Sequence, residues 1–208
     1  MTIQDISTRL QKQCDESLES ISVVKKAVFL STEKLKLIQD LVVKQAFLSV
    51  CTEWEHFLED ATVAYALGEL SVKGFAPTKY ISPLNGDHAD RLIKGTANYP
   101  DWSNMELVKR VEINLFKDGE PFNSALNGFS ATYSEIKKVR NVIVHNSIKS
   151  RDEFDSLVRT ALSVASVGIS PTEFLLSPQG SSGLLFYKFY IVHIQNAARL
   201  ISEYEEQE

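Results

Sequence analysis

An almost continuous helical pattern of apolar residues runs through the first 65 residues and limits the fold more than any other feature. The apolar side chains recur at steps of three and four residues, which places them on one side of an α-helix. They are Leu10, Cys14, Leu18, Ile21, Val24 and Val28, followed by Phe47, Cys51, Trp54, Leu58, Ala61 and Tyr65. Ser31 and Thr32 separate two predicted helices, and Gly68 and Gly74 mark the end of the second.

The remainder of the chain repeats this spacing in shorter segments. Further helices are predicted from the segment 103–106 to the segment 118–121, and over residues 131–146, 151–167 and 184–204. The six Pro and nine Gly among 208 residues are few for a turn-rich β-sandwich, and 44% hydrophobic residues suffice for a packed core. We therefore predict an all-α fold, an up-and-down helical bundle of about five to seven helices. It forms a single domain over residues 1–208 with an irregular insertion at about 71–102.

Two local signals refine these helix boundaries. Ser103-Asn-Met-Glu106 fits a capping box, which predicts a helix that turns its apolar residues inward. These inward residues are Met105, Val108, Val111 and Leu115. Residues 171–183 contain turn-forming residues and are predicted to form a loop.

Charge is distributed unevenly along the chain. The formal net charge of −5 excludes a globally basic coat for nucleic acid, and residues 203–208 are acidic. Residues 137–151, by contrast, contain no Asp or Glu. The basic residues in this window are Lys137, Lys138, Arg140, Lys149 and Arg151. These side chains make the window the most positive part of an otherwise acidic chain.

The sequence gives no indication of a metal site or a membrane segment. Cys14 and Cys51 form no CxxC or Cys/His cluster, and neither a metal nor another cofactor is predicted. The first ten residues, MTIQDISTRL, lack the pattern of a secretory signal. The apolar stretch over residues 184–194 is too short to cross a bilayer. We expect a soluble, cytoplasmic protein.

The helix predicted over residues 131–146 carries an unusual set of polar side chains, Arg140, Asn141 and His145. Its apolar residues share one side, which is predicted to face the core: Ile136, Val139, Val142 and Ile143. Asn141 and His145 are four residues apart and project from the opposite side, with Arg140 between the two sides. An ordinary solvated helix face, with Asn146 ending the helix, is the simplest interpretation.

The segment Arg-Asn-Val-Ile-Val-His, residues 140–145, resembles the Arg–four residues–His motif of the HEPN superfamily of α-helical ribonucleases and nucleotide-binding proteins. The segment CTEWEHFLEDATVAYA in the second helix is similar to the corresponding helix of RiboL-PSP type HEPN proteins. The resemblance implies that the motif helices of two protomers pair, so the protein is expected to be a homodimer.

The activity implied by the resemblance is metal-independent cleavage of RNA by attack of its own 2′-hydroxyl. In this interpretation His145 transfers the protons, because histidine changes charge near neutral pH. Arg140 holds the scissile phosphate, and Asn141 orients His145 or binds a phosphate oxygen. The basic residues around the motif are expected to contact RNA phosphates without sequence preference: Lys137, Lys138, Lys149 and Arg151. Glu55 and Glu59 share one side of the second helix. They either support Arg140 or His145, or are ordinary exposed carboxylates.

The resemblance also implies a biological role, that of a toxin in a toxin–antitoxin or antiviral defence system. Its expected partner is an antitoxin such as a small nucleotidyltransferase, and no membrane partner is expected. Two alternatives remain open at this stage. The first is a non-catalytic HEPN-like module that binds RNA, a nucleotide or a protein. The second is a helical adaptor whose N-terminal helices mediate assembly.

Overall fold

The protein is all-helical in the computed structural model, which describes residues 1–26, 32–95, 101–163, 168–180 and 182–206. Within these ranges there are eight α-helices and no β-strand, so the all-α prediction is confirmed. The helices are α1 (Ile3–Lys26), α2 (Thr32–Leu67), α3 (Gly86–Lys94), α4 (Met105–Leu115), α5 (Phe122–His145), α6 (Ile148–Leu162), α7 (Pro171–Leu175) and α8 (Phe186–Ser202). A short 3₁₀ helix occupies Lys117–Gly119.

The two long N-terminal helices form as predicted. The repeating apolar positions of α1 and α2, from Leu10 and Cys14 to Leu58 and Tyr65, are buried except for the half-buried Leu18. Gly68 follows α2 with a φ of 100°, a backbone conformation that glycine adopts without steric cost. Val28 and Ser31 lie outside the described residues.

The chain groups into two compact units, and each is assembled from separated segments. Unit 1 comprises Met1–Gln11, Glu53–Ser130 and Ile194–Glu208, and unit 2 comprises Lys12–Thr52 and Ala131–His193. The Arg140–His145 motif belongs to unit 2. A single domain over residues 1–208 remains a prediction.

Aromatic rings on α2 and α5 form part of the core of unit 1. The Trp54 ring stacks on Phe57 with centroids 5.5 Å apart, and the Phe129 ring meets Trp54 edge-on at the same separation. The Tyr65 hydroxyl donates a 2.7 Å hydrogen bond to the carbonyl oxygen of Ile201, and burial raises the pKa of Tyr65. These contacts fix α2 and α8 within this unit.

The segment between α2 and α4 is largely irregular in its described residues, and its nature as an insertion remains a prediction. It contains α3, where Asn85 is the N-cap and its side chain accepts a 2.9 Å hydrogen bond from the His88 amide. Tyr80 N–H donates to the Leu115 carbonyl oxygen at 2.9 Å and ties the segment to the end of α4. Residues 96–100 lie outside the described part of the chain.

A second aromatic cluster forms the core of unit 2. The Phe174 ring stacks on Phe186 at 4.3 Å and meets Phe154 edge-on at 5.6 Å. The buried Tyr190 hydroxyl donates a 3.0 Å hydrogen bond to Glu135 on α5. Helix α8 is therefore fixed against the helix that carries the motif.

The short helix α7 lies within the segment predicted to be a loop. Ser170 and Glu173 form a capping box, and Pro171 occupies the first turn. The sequence contains these start signals, but the segment is only 5 residues long and shows no helical period to detect. The loop prediction for this stretch is therefore wrong.

Helix α4 differs from its sequence prediction in two respects. Ser103 does not cap it, because its amide and hydroxyl both hydrogen-bond to the Asp101 carboxylate. The buried residues of α4 are Met105, Val108, Glu112 and Leu115. Val111, predicted to face the core, is half-buried, and Glu112 takes the inward position instead.

Glu112 is a completely buried carboxyl group. The Thr62 hydroxyl lies 2.5 Å from Glu112 Oε1 and 2.7 Å from the Leu58 carbonyl oxygen. Thr62 has one hydroxyl proton, so both contacts are satisfied if protonated Glu112 donates to Thr62 and Thr62 donates to Leu58. Burial raises the pKa of Glu112 well above its ordinary value, and the hydrogen bond with Thr62 opposes the rise only in part.

No helix among the described residues is long and apolar enough to cross a membrane. In the same ranges, no group of three or more His, Cys, Asp or Glu side chains is arranged to hold a metal ion.

Replacing Glu112 with Gln should remove a pH dependence of stability. The pKa of Glu112 is higher in the folded state than in the unfolded state, so its contribution to stability is present at low pH and is lost as pH rises above about 4.5. In that window we expect the wild-type free energy of unfolding to fall relative to that of Glu112→Gln by about 1.4 kcal/mol per pH unit. Urea unfolding between pH 5 and 8 measures this difference, and exposed Glu106→Gln on the same helix is the control. Parallel pH profiles for wild type and Glu112→Gln would contradict the assignment.

Candidate functional site

Core packing determines which side of α5 faces outward. Ile136, Val139 and Val142 are buried, as predicted, and Ile143 is half-buried. The residues between them project away from the core: Asn141 is half-buried and His145 is exposed. The rotation of the helix about its axis, and with it the direction of the motif side chains, follows from this apolar side.

A two-residue turn joins α5 to α6 immediately after the motif. Asn146 has a φ of 44°, a left-handed conformation that asparagine tolerates, and its side-chain oxygen accepts a 2.8 Å hydrogen bond from Arg151 Nε. Ser147 caps α6 by accepting from the Ser150 amide at 3.2 Å, and Ser150 Oγ accepts from the Ser147 amide at 2.9 Å. His145 is thus held at a defined position at the end of α5.

A groove of about 430 Å³ runs between α5 and α6, and we call it the α5–α6 groove. Its lining residues are Ser134, Lys137, Lys138, Asn141 and His145 from α5 together with Ser147, Lys149, Ser150 and Glu153 from the start of α6. His145 lies eleven residues after Ser134, about 16 Å along the axis at the usual helical rise. The groove therefore suits an extended ligand better than a compact one.

The lining of the groove is cationic. Lys137 and Lys138 are half-buried beside Asn141, while Lys149 is exposed at the opposite wall. The acidic residue Glu153 lies 3.9 Å from Lys149, between its Oε1 and the lysine Nζ. Positive groups along an open channel attract a polyanion even when the protein as a whole is acidic.

Arg140 is not among the residues that line this groove. One of its guanidinium nitrogens, Nη1, is 3.4 Å from Asn141 Oδ1, a long hydrogen bond between neighbouring residues on the helix surface. The structure therefore brings Asn141 and His145 together in one groove and leaves Arg140 on the adjacent side of α5.

The other predicted RNA-binding residues differ in their placement. Lys137, Lys138 and Lys149 line the groove, and their contact with RNA phosphates remains a prediction. Arg151 is exposed but lies outside the lining, where its guanidinium bonds to the side chain of Asn146. Arg151 therefore contributes to the turn geometry instead of the groove wall.

The predicted supporting carboxylates Glu55 and Glu59 are half-buried on α2 in unit 1. On this helix, Asp60 Oδ2 lies 2.7 Å from Arg9 Nη2, and Glu53 also binds Arg9. A support role for Glu55 or Glu59 at the motif remains a prediction.

The other three histidines have local partners. The Nδ1 atom of His193 lies 2.8 Å from the Phe189 carbonyl oxygen, as expected for a packed, hydrogen-bonded histidine. His88 Nδ1 accepts from the Leu84 amide at 3.2 Å, and exposed His56 lies 3.7 Å from the Glu53 carboxylate. Within the described ranges, His145 has no hydrogen bond to the protein, so both of its ring nitrogens are available to a ligand.

Sequence reasoning missed Glu153, Ser134, Ser147 and Ser150 as groove residues. The spacing of Ser147 and Ser150 signals a helix start, and Glu153 lies one turn after Lys149, but neither pattern reveals that α6 faces Lys137 and Asn141. That arrangement depends on the sharp turn at Asn146.

A larger cavity of about 660 Å³ lies in unit 1 and contains none of the predicted site residues. Five carboxylates contribute to its lining, against two lysines: Asp118, Glu120, Glu203, Glu205 and Glu206, with Lys73 and Lys117. An excess of negative charge repels phosphate, so this cavity is a poor match for a nucleic acid.

No protein-family model, curated protein or solved structure matches the chain. A function for the chain is therefore inferred from the residues of the motif at 140–145 and from the geometry of the groove.

Replacing Ser147 with Ala should destabilise the turn that positions His145. The substitution removes the hydroxyl that accepts from the Ser150 amide, and the loss of such a cap costs about 1 kcal/mol of stability. Chemical denaturation measures the change, and Ser156→Ala at an exposed position within α6 is the matched control. An equal effect of the two substitutions would show that the cap does not hold the turn.

Proposed function

We propose that this protein is a metal-independent endoribonuclease. The observation that carries the proposal is that His145 and Asn141 share the α5–α6 groove with Lys137, Lys138 and Lys149. An imidazole beside an amide and several ammonium groups provides what RNA cleavage requires, namely a group that transfers protons and positive charges that hold phosphates.

The reaction uses the nucleophile that RNA itself carries. The 2′-oxygen forms a bond to phosphorus as its proton passes to a base, and the bond from phosphorus to the 5′-oxygen breaks as that oxygen takes up a proton. The products are a 2′,3′-cyclic phosphate and a 5′-hydroxyl. His145 acts in one of these proton transfers, since histidine exchanges protons near neutral pH.

Asn141 and the lysines act on the phosphates. The side chain of Asn141 lies one helical turn from His145 on the same side of α5, where an amide can orient the imidazole or bind a phosphate oxygen. Lys137 and Lys138 are seven to eight residues before His145, about 10–12 Å along the axis, so they contact phosphates beyond the one that is cleaved.

Arg140 completes the site if a second copy of the chain supplies it. In one chain the guanidinium lies outside the groove of His145, so a single phosphate is not held between the two groups. Pairing through α5, as the resemblance implies, brings the Arg140 of one copy towards the groove of the other. There a planar guanidinium stabilises the charge that develops on the phosphate oxygens.

The biological role that the resemblance implies for such a ribonuclease is that of a toxin or antiviral effector, with a partner that covers or modifies the groove. A binding module without catalysis is the alternative. It is favoured by the position of Arg140 outside the groove, because an incomplete site binds RNA without cleaving it.

Removal of the His145 imidazole should abolish RNA cleavage. We expect purified wild-type protein to cleave total RNA in the presence of EDTA, and His145→Ala to cleave at least about 100-fold more slowly, the usual contribution of a general acid or base. His56→Ala, which alters an exposed histidine in unit 1, should cleave like the wild type. Binding without cleavage by the wild type would favour the binding module, and equal cleavage by wild type and His145→Ala would exclude His145 as the acid or base.

A mixed dimer tests whether Arg140 acts on the groove of the second copy. Arg140→Ala and His145→Ala chains carrying different tags are co-expressed, and the mixed species is isolated by tandem purification. If the Arg140 and His145 of one site come from different chains, one of the two sites in the mixed dimer retains both residues. About half of the wild-type rate is then expected. An inactive mixed dimer, with active wild type as reference, would show that each site uses residues of one chain.

A further inference from the structure

Glu153 is an unexpected residue in a groove that binds phosphates. Among the residues that line the α5–α6 groove it is the one carboxylate, and it faces a surface that carries Lys137, Lys138 and Asn141. A carboxylate repels phosphate groups, so it weakens the general attraction of the groove for a polyanion. The part of the ligand that lies beside Glu153 is therefore not a phosphate, and an uncharged group of an RNA that donates hydrogen bonds suits this position.

The Glu153 carboxylate has acceptor capacity to offer such a ligand. Its closest cation is Lys149 at 3.9 Å, which is beyond hydrogen-bond distance, and the lysine side chain is 86% exposed. Within the described part of the chain, Glu153 accepts no hydrogen bond from the protein. An ionised carboxylate accepts through two oxygens in parallel, so a ligand with two adjacent donors fits it best.

The position of Glu153 along α6 matches the reach of a nucleotide base. It lies five residues beyond Ile148, about 8 Å along the helix axis from the turn that follows His145. This separation is comparable with the distance from a phosphate to the pairing edge of its own base. A nucleotide whose phosphate lies near His145 can therefore present its base to Glu153.

We propose that Glu153 selects guanine next to the cleaved bond, an assignment that rests on the proposed ribonuclease function. The pairing edge of guanine places N1–H and the N2 amino group side by side, and they match the two carboxylate oxygens. Adenine, cytosine and uracil each place a hydrogen-bond acceptor beside their donor. This acceptor would face one carboxylate oxygen and be repelled by it. Single-stranded RNA leaves these edges open to proteins.

Short oligonucleotides with one cleavable position test the assignment. In a 2′-deoxy background, a single ribonucleotide defines the cut, and the bases on both sides of the cleaved bond are varied among guanine, inosine, adenine, cytosine and uracil. Initial rates are measured in EDTA. We expect wild-type protein to prefer guanine at one of the two positions on the order of tenfold, as good bidentate base contacts do. Inosine, which lacks the N2 amino group, should lose most of this preference.

The Glu153→Gln variant gives a signature that misfolding does not produce. Loss of a negative charge should tighten binding to all the oligonucleotides, while the ratio of the guanine rate to the inosine rate falls to about one. Asp152→Asn, at the adjacent exposed residue outside the groove lining, is the matched control and should retain the wild-type ratio. Equal wild-type rates for all bases, or a guanine preference that persists in Glu153→Gln, would overturn the assignment.

A binding experiment separates failure of this assignment from failure of the proposed function. The same oligonucleotides carry a 2′-O-methyl group at the ribonucleotide and are titrated by fluorescence anisotropy. Guanine-selective binding that Glu153→Gln removes, without cleavage of the ribonucleotide set, would disprove the nuclease and retain the base contact. Cleavage without guanine selectivity in either assay would retain the nuclease and disprove the base contact.

Discussion

The burial of one side of α5 is the constraint on which the rest of the site depends. Ile136, Val139 and Val142 have almost no exposure, so the helix cannot rotate without moving apolar groups into water. With rotation fixed at about 100° per residue, Asn141 and His145 must project into the groove, and Arg140 must lie to one side of it. The chemistry of the site is therefore set by packing residues that never touch a ligand.

The turn at Asn146 adds the second wall. A left-handed residue followed at once by a capped helix reverses the chain within two residues, so that Lys149 and Glu153 lie opposite Lys137 and Asn141. A longer or looser connection would leave the basic residues on a convex ridge open to water. Enclosure between two helices concentrates the field of a few positive charges even on a protein with a net charge of −5.

The sequence predicted the features that follow from the helical spacing of apolar residues alone. It failed where contacts between helices determine which residue is buried. The period identified α1, α2 and the buried side of α5, since each repeats over several turns. Val111 was assigned to the core because valine is apolar. The buried positions of α4 follow a heptad-like spacing that places Glu112 in the core instead, where its carboxyl group contacts Thr62 on α2. Glu153 was missed for the same reason, because only the docking of α6 beside α5 makes it part of the groove.

Attraction of phosphate cannot by itself make this groove specific, since lysines bind DNA and RNA alike. Under the proposed function, two features of the groove discriminate between nucleic acids by other means. In the proposed reaction the groove supplies no nucleophile of its own, so RNA, which carries a 2′-hydroxyl, is cleaved and DNA is not. A carboxylate among cations lowers the affinity for every polyanion and recovers part of it only where two adjacent donors meet its oxygens. In the proposed site, Glu153 therefore lowers the affinity for every polyanion and adds selectivity between bases, which is a reason for a carboxylate among cations.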